Sequence, residues 1–507
     1  MSLEEATTTH KKDFFVLSEG GKPILSSYTD DDAIMVTSGL LQAMAGIAID
    51  SGDKIKSFTA GNVKIVYIHR NNIYLVVIST TQEPEALLQK QLSFIYEQII
   101  FVLTSKIHGV LENNPSKDMR HLIGDDTISL ISSGFHADDL ASPSVALTAL
   151  ESCTLDSGIR DKVVAAVSAA VVNSLSIAGL LLCKNRLVAY YIDTSLGVSL
   201  STNDLVLLSH FVAESKALRY HDENWVPICL PDFNPDAFLQ AYISHFIERG
   251  DDEAAAADGH REDGAKCEAE TERAPPSAQK SDLALVLLSA DHENFRHMHA
   301  ARAALEKKIR SLTGDGTLPR ALLDPMTITA DFFQRSPLAA LPYHCILKYE
   351  SQEEHMPAQI VVLHLTETKE MDHHIWAQHM RHAVCMRVGS SIPESSVMKS
   401  PVPSAQSPHT MAHARAPEGV FSPERPLPKS NMPKYDGSGD CLRMQPASDY
   451  ALSYTALHDG AVCVSVASSD TEMYLAFPNT LSTLEACRTT QAFSKILRPL
   501  LLNFFQL

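Results

Sequence analysis

Residues 33–49 carry no charge, and two apolar stripes run along them at helical spacing. One is Val36, Leu40, Met44 and Ile47; the other is Ile34, Leu41, Ala45 and Ala48, with Thr37, Ser38 and Gln42 as the polar positions between. A surface helix buries one stripe and solvates the rest, so an apolar circumference predicts cover on two sides, from either a deep core position or a second protein lying on top. Asp30-Asp31-Asp32 precede the stretch and suit a helix N-terminus. Upstream, the short apolar runs 14–17 and 24–28 are joined by Glu19-Gly20-Gly21-Lys22, where paired glycines supply the positive φ of a tight hairpin. Downstream, residues 54–60, 63–70 and 73–80 read as three strands turned by Gly61-Asn62 and Asn71-Asn72. A long helix follows Pro84 with Leu88, Leu92, Ile95, Ile99 and Leu103 on one face, and residues 106–120 continue as a further helix. An antiparallel five-stranded sheet with helices on both faces is the simplest compact object with that order.

The pattern then repeats. Residues 158–172 predict a helix, 177–183 and 187–192 strands, and 202–218 an amphipathic helix opened by Asn203-Asp204 with Leu205, Leu208, Phe211 and Val212 inward. A Trp225-anchored strand over 225–231 is followed by a predicted helix over 233–246, opened by Asn234-Pro235. Nine acids between Asp251 and Glu272, with few apolar residues, predict a disordered insert over 251–280 before a strand at 283–289 and a helix over 293–312. The third pass holds a strand or helix at 343–349, an apolar run at 360–365 and a helix over 369–386. A Pro/Ser-rich linker at 390–441, strands at 450–455, 461–467 and 473–477, and a closing helix over 481–497 complete it. The expected division is a short tail at 1–12, a first domain at 13–124, a second at 142–312 and a third at 335–507.

A length of 507 residues fits several domains, and 45% hydrophobic with 20% charged residues fits a globular protein. The formal charge of -19 removes the basic footprint that nucleic-acid binding needs. Nine cysteines without a C-x-x-C pair predict a reducing compartment, and the N-terminal residues lack the regions of a secretory signal, so a cytoplasmic protein is expected. Residues 163–183 form a 21-residue uncharged run. Its Ala/Ser content and the interruptions at Asn173-Ser174 and Gly179 favour a helix, a turn and a buried hairpin over a membrane span.

Candidate chemistry is sparse. Gly20-Gly21-Lys22-Pro23 lacks phosphate-loop spacing and Pro23 removes an N–H, so it reads as a turn. There is no dinucleotide fingerprint and no nucleophile elbow. His373, His374, His379 and His382 with Asp372 form the one metal-like cluster, and among 22 histidines a solvated helix face is favoured over a metal site. Lys11-Lys12 and the bases of the 390–441 linker fall short of a lipid-binding cluster, and Trp225 reads as a packing anchor. No catalytic residue, cofactor or metal is assigned. Apolar surface in need of a partner is what remains.

Residues His10-Lys-Lys-Asp-Phe-Phe-Val-Leu-Ser-Glu-Gly-Gly-Lys-Pro-Ile24, then Ser38-Gly-Leu-Leu-Gln-Ala43 and Asp50-Ser-Gly-Asp53, closely resemble the opening of the Mon-one family of vacuolar fusion proteins. Asn72-Ile-Tyr-Leu-Val76 and Trp225-Val-Pro-Ile-Cys-Leu-Pro-Asp-Phe-Asn234, with Phe238-Leu239 and Ala241-Tyr-Ile-Ser244, extend the resemblance. It is strong over 13–103 and 146–246, fair over 283–309 and 343–349, and faint beyond. The resemblance implies an α/β fold of three tandem longin domains, each an antiparallel sheet of about five strands flanked by helices. It further implies a heterodimer with a Ccz-one-like longin subunit that acts as guanine nucleotide exchange factor for a Rab-seven-type small GTPase, without chemical catalysis. Its expected place is peripheral, on late endosome and vacuole or lysosome membranes, where the complex contacts anionic lipid. Carried onto this sequence, the first-domain pairing and GTPase platform fall on helix 33–49 and edge strand 54–60. Thr37, Ser38 and Gln42 are the expected polar contacts, Ile55, Ser57 and Phe58 the edge-strand contacts, and the stripe containing Leu41 and Ala45 the surface covered by the partner. The short N-terminal tail and the two inserts depart from the family pattern.

Overall fold

The computed structural model describes residues 11–135, 142–247, 280–323, 338–365, 442–444, 451–456 and 461–506 with Phe333, apart from short gaps inside these ranges. The predicted helix 369–386, its histidine cluster and both inserts lie outside the described residues, except that Lys280 already opens a strand.

The first unit opens with a hairpin of β1 (Lys12–Ser18) and β2 (Pro23–Ser26), followed by α1 (Asp31–Asp50). Only one of the paired glycines takes a positive φ: Gly21, at 80°, whose N–H donates to the Ser18 carbonyl. Helix α1 starts where the Asp30 carboxylate accepts the Ala33 N–H at 3.3 Å, satisfying one of the unpaired first-turn donors. Then come β3 (Ser57–Ala60), β4 (Val63–Arg70) and β5 (Ile73–Ser79), turned by Gly61 and Asn71 in the left-handed region. The helices α2 (Glu85–Leu103), α3 (Lys106–Asn113) and α4 (Asp125–Phe135) close the unit. Helix α3 stops at Asn113, short of the predicted 120, because Asn114 precedes Pro115 and is steered out of helical geometry. Ile131 and Phe135 of α4 enter the first core, with Phe135 edge-on to Phe14 at 4.8 Å, so this unit runs past the expected boundary at 124.

Next along the chain are α5 (Pro143–Leu147), β6 (Leu150–Glu151), α6 (Ser157–Asn173), β7 (Ala178–Cys183) and β8 (Arg186–Ile192). They are followed by α7 (Thr202–Glu214), α8 (Lys216–Tyr220), β9 (Glu223–Ile228), β10 (Leu239–Ile247), β11 (Lys280–Ser289), α9 (Phe295–Arg310) and α10 (Arg320–Leu323). The uncharged run at 163–183 is the end of α6, a turn through Leu175 at φ 53° and strand β7, not a span. The helix predicted over 233–246 is a correction: Leu239–Ile247 is a strand. Sandwiched between β9 and β11, it is buried on both faces, and a short run buried on both faces carries no period by which sequence can tell strand from helix.

The last unit comprises β12 (His344–Tyr349), β13 (Gln359–His364), β14 (Leu442–Met444), β15 (Ala451–Ala456), β16 (Ala461–Ala467), β17 (Thr471–Pro478), α11 (Thr483–Leu497) and α12 (Leu501–Phe504). The sheet orders are β2-β1-β5-β4-β3, then β8-β7-β11-β10-β9, then β14-β15-β16-β17-β12-β13-β6. Counted within its own unit, each sheet runs second, first, fifth, fourth, third. The third sheet adds β14 at one edge and β6 at the other.

Strand β6 comes from the segment expected to open the second domain, yet it pairs in parallel with β13, and Ala146, Leu147 and Ala149 pack on Ile346, Ile360 and Tyr474. The adjoining Cys153 N–H donates to Leu187 of β8, so this short segment joins the edges of the second and third sheets. Gln506 joins them again: its side-chain amide pairs with both main-chain groups of Tyr190, at 2.7 and 2.6 Å, and its main chain pairs with the Gln359 side chain. The first unit is held by α2. Leu88, Leu92, Ile95 and Ile99 face its own sheet, Phe94 and Phe101 enter the second unit's core, and Leu87 enters the cluster around Ile346.

Candidate partner interface

Helix α1 lies on the face of the first sheet opposite α2 and packs with one stripe only. Leu41 and Ala45 are buried with Phe15, Leu17, Ile65, Tyr67, Tyr74 and Val76, while Ile34, Thr37 and Ser38 are also turned inward. The Tyr67 hydroxyl donates to the Leu41 carbonyl at 3.4 Å, and this burial pushes the phenol well above its ordinary range. The stripe expected to meet a partner is therefore core, which corrects the placement of Leu41 and Ala45 at an interface.

The opposite stripe is open. Val36, Leu40 and Ile47 are 65, 44 and 68% exposed, flanked by exposed Met35 and Ile49. Gly39 and Gly46 belong to the same outer surface, since a Cβ built on either meets nothing within 4 Å. Helix α1 is also long and apolar enough to cross a bilayer by length and composition. Its inner stripe is nonetheless seated on the sheet.

The three polar residues assigned to contacts point elsewhere. Thr37 and Ser38 are buried beneath the helix. The Gln42 amide donates to the Glu19 carbonyl at 2.8 Å, bracing the β1–β2 turn, where its Cγ would stand 2.9 Å from a Cβ on Gly21. Beside the helix, β3 pairs only with β4 and forms the sheet's edge. Strand alternation splits its candidates. Phe58 and the preceding Ile55 pack half-buried on the α1 side, with Phe58 stacked on Tyr67 at 6.4 Å, whereas Ser57 turns to the other side and donates to Glu85 at 2.6 Å. The structure thus brings Ile55 and Phe58 next to α1 and separates Ser57 from them. Met35, Val36, Leu40, Ile47 and Ile49 were missed as the open set because two apolar stripes of equal strength give no sequence signal for which one the sheet takes.

Such an apolar surface can bind a partner by burial of its side chains. Among the described residues no group of three or more His, Cys, Asp or Glu side chains is disposed to hold a metal. A cavity of about 330 Å³ lies in the second unit between the β7–β8 turn and α7, lined by Lys184, Ser209, Arg219, His245 and Asp282.

Family models match two of the three units. The first longin domain of FUZ, MON1 and HPS1 matches residues 12–133, running through α4, and the second longin domain of the same proteins matches residues 176–305. The chain is 36% identical over 248 residues to a vacuolar fusion protein MON1 homolog of Arabidopsis thaliana, covering 48% of this chain and 40% of the relative. It is 29% identical over 327 residues to Protein SAND of Takifugu rubripes, covering 63% and 55%. With the vacuolar fusion protein MON1 homolog A of Homo sapiens it shares 29% over 323 residues, covering 63% and 44%. The chain thus spans about half the length of the curated relatives it matches. With an α/β fold of five-stranded antiparallel sheets in one repeated strand order, and the first and second longin domains matched in sequence, the chain belongs to the MON1 family.

Proposed function

We infer that this chain is a subunit of a heterodimeric guanine nucleotide exchange factor that pairs with a Ccz-one-like longin subunit and activates a Rab-seven-type GTPase. In this reading it works in vacuolar fusion and late endosomal traffic, cytoplasmic and peripherally bound to anionic membrane through the complex. The observation that carries the reading is the open apolar stripe of α1 beside the free edge strand β3, on the domain that matches the first longin model. Full burial of an aliphatic side chain contributes about 1.5–3 kcal/mol, and Val36, Leu40 and Ile47, 44–68% exposed, keep roughly half of that for a partner to gain. The related vacuolar fusion proteins direct the choice of pathway. Exchange then follows from differential binding: a platform that fits the GTPase with its switch region displaced from nucleotide and magnesium lowers nucleotide affinity without any proton transfer.

Nucleotide release from a Rab-seven-type GTPase, measured with the chain alone and with its longin partner, tests this. Acceleration by the pair is expected, and pairing without acceleration would make the chain a trafficking scaffold. At the interface, Leu40→Asp abolishes pairing and leaves the circular dichroism and melting of the single chain unchanged, whereas Leu41→Asp unfolds the first unit. Retained pairing in Leu40→Asp would reject the open stripe as the contact surface.

A further inference from the structure

The junction between the first two units contains a carboxylate that no binding role explains. Glu97 projects from α2 toward the N-terminus of α7, where Asn203 hydrogen-bonds it and also donates to Asp232 at 3.3 Å. Asp204, fully buried, accepts the N–H groups of Asp232 and Phe233 at 3.1 and 2.9 Å, and Ser201 donates to Asp232 at 2.8 Å. The charged groups facing Glu97 are therefore Asp204 from α7, Asp232 from the segment after β9 and Arg70 from β4. On its own helix, Lys90 lines the same cleft but donates to the Ala146 carbonyl at 2.8 Å. Around this polar cluster the contact is apolar, with Phe94 edge-on to His210 at 5.6 Å and Phe101 beside Phe211 at 5.2 Å. Glu97 is half-buried at this cleft, and separating α2 from α7 would complete its exposure to water.

We propose that proton uptake by Glu97 tightens the docking of the first unit on the second, making the α2–α7 junction a pH-sensitive joint between the partner-binding unit and the rest of the chain. Burial, joined by the negative Asp232 and Asp204, raises the Glu97 carboxyl to about 7, against Asn203 and Arg70, which favour its ionised form. Because the docked state holds the proton more tightly than the separated one, docking strengthens as pH falls from the docked value toward the ordinary carboxylate value. It weakens as pH rises through about 7. Between pH 8 and pH 6 the docking equilibrium gains about tenfold from this one group.

Hydrogen exchange on the full chain at pH 8 and pH 6, corrected for intrinsic rates, reads the joint directly through the amides of α2 and the first turn of α7. About tenfold greater protection at pH 6 is expected in the wild type, and Glu97→Gln, neutral and of the same shape, should show the protected level at both values. Asp204 is itself raised by burial, to about 6, and its charge helps to raise Glu97, so Asp204→Asn should move the pH-dependent change to lower pH without abolishing it. If Glu97→Gln keeps the wild-type pH dependence, or if the wild type shows none, the proposal is overturned.

Discussion

At the residue scale, Lys12 shows how much the first unit depends on one buried charge. Its ammonium is fully enclosed and donates to Glu83 at 3.1 Å and Gln91 at 2.8 Å, with the Phe135 ring 5.3 Å away. Gln91 and Thr81 also donate to Glu83, so the carboxylate is satisfied on several sides. Removing one partner of such a pair leaves the other charge buried, at a cost of about 3–5 kcal/mol. Lys12→Met should lower the unfolding free energy of the first unit by that amount, read as a lower denaturant midpoint at unchanged m. Gly21 makes a smaller, separate test. Gly21→Ala combines a left-handed φ with a clash against Gln42, and a loss of about 1 kcal/mol or more is expected in the same measurement.

At the scale of elements, what sequence could reveal depended on how many sides of an element were covered. Strands β4 and β5 were legible because Gly61-Asn62 and Asn71-Asn72 bound them and β-branched and aromatic residues fill them, although β5 is buried on both faces. Helix α1 was legible as a helix that is apolar on two sides, but its orientation was not. Ile34, Leu41, Ala45 and Ala48 are as apolar as Val36, Leu40, Met44 and Ile47, and only Tyr67 and Phe15 on distant strands decide which set goes inward. Helix α2 was read from one face. Phe94 and Phe101, which dock the second unit, looked like interruptions of the Leu88–Leu92–Ile95–Ile99 stripe until a second surface was there to receive them. Strand β10 was lost to a helix for the same reason, being covered on both faces.

For the whole molecule, the three sheets are joined at defined places. Besides Gln506, the Arg160 guanidinium is buried in the second unit, donating to the carbonyls of Val188 at 3.0 Å and Asn503 at 3.2 Å. Burial lowers the pKa of this guanidinium to about 10, against Cys153 and Asp161, which favour its charged form. Gln506→Ala removes the two side-chain hydrogen bonds to Tyr190, each contributing about 0.5–1.5 kcal/mol net, and should raise hydrogen exchange along β8 without affecting the first unit. Protection of β8 at the wild-type level would show that the Gln506 side chain does not hold the edge of the second sheet.

Because α2 lends side chains to three separate cores, no boundary between the first unit and the others can be cut cleanly. A fragment ending after β5 would leave its own sheet bare on one face. A fragment carrying α2 would present two phenylalanines to solvent and become sticky for reasons unrelated to any natural ligand. Binding experiments with excised domains would therefore report that artificial wound, and the smallest trustworthy reagent for studying α1 is the chain with all three sheets in place.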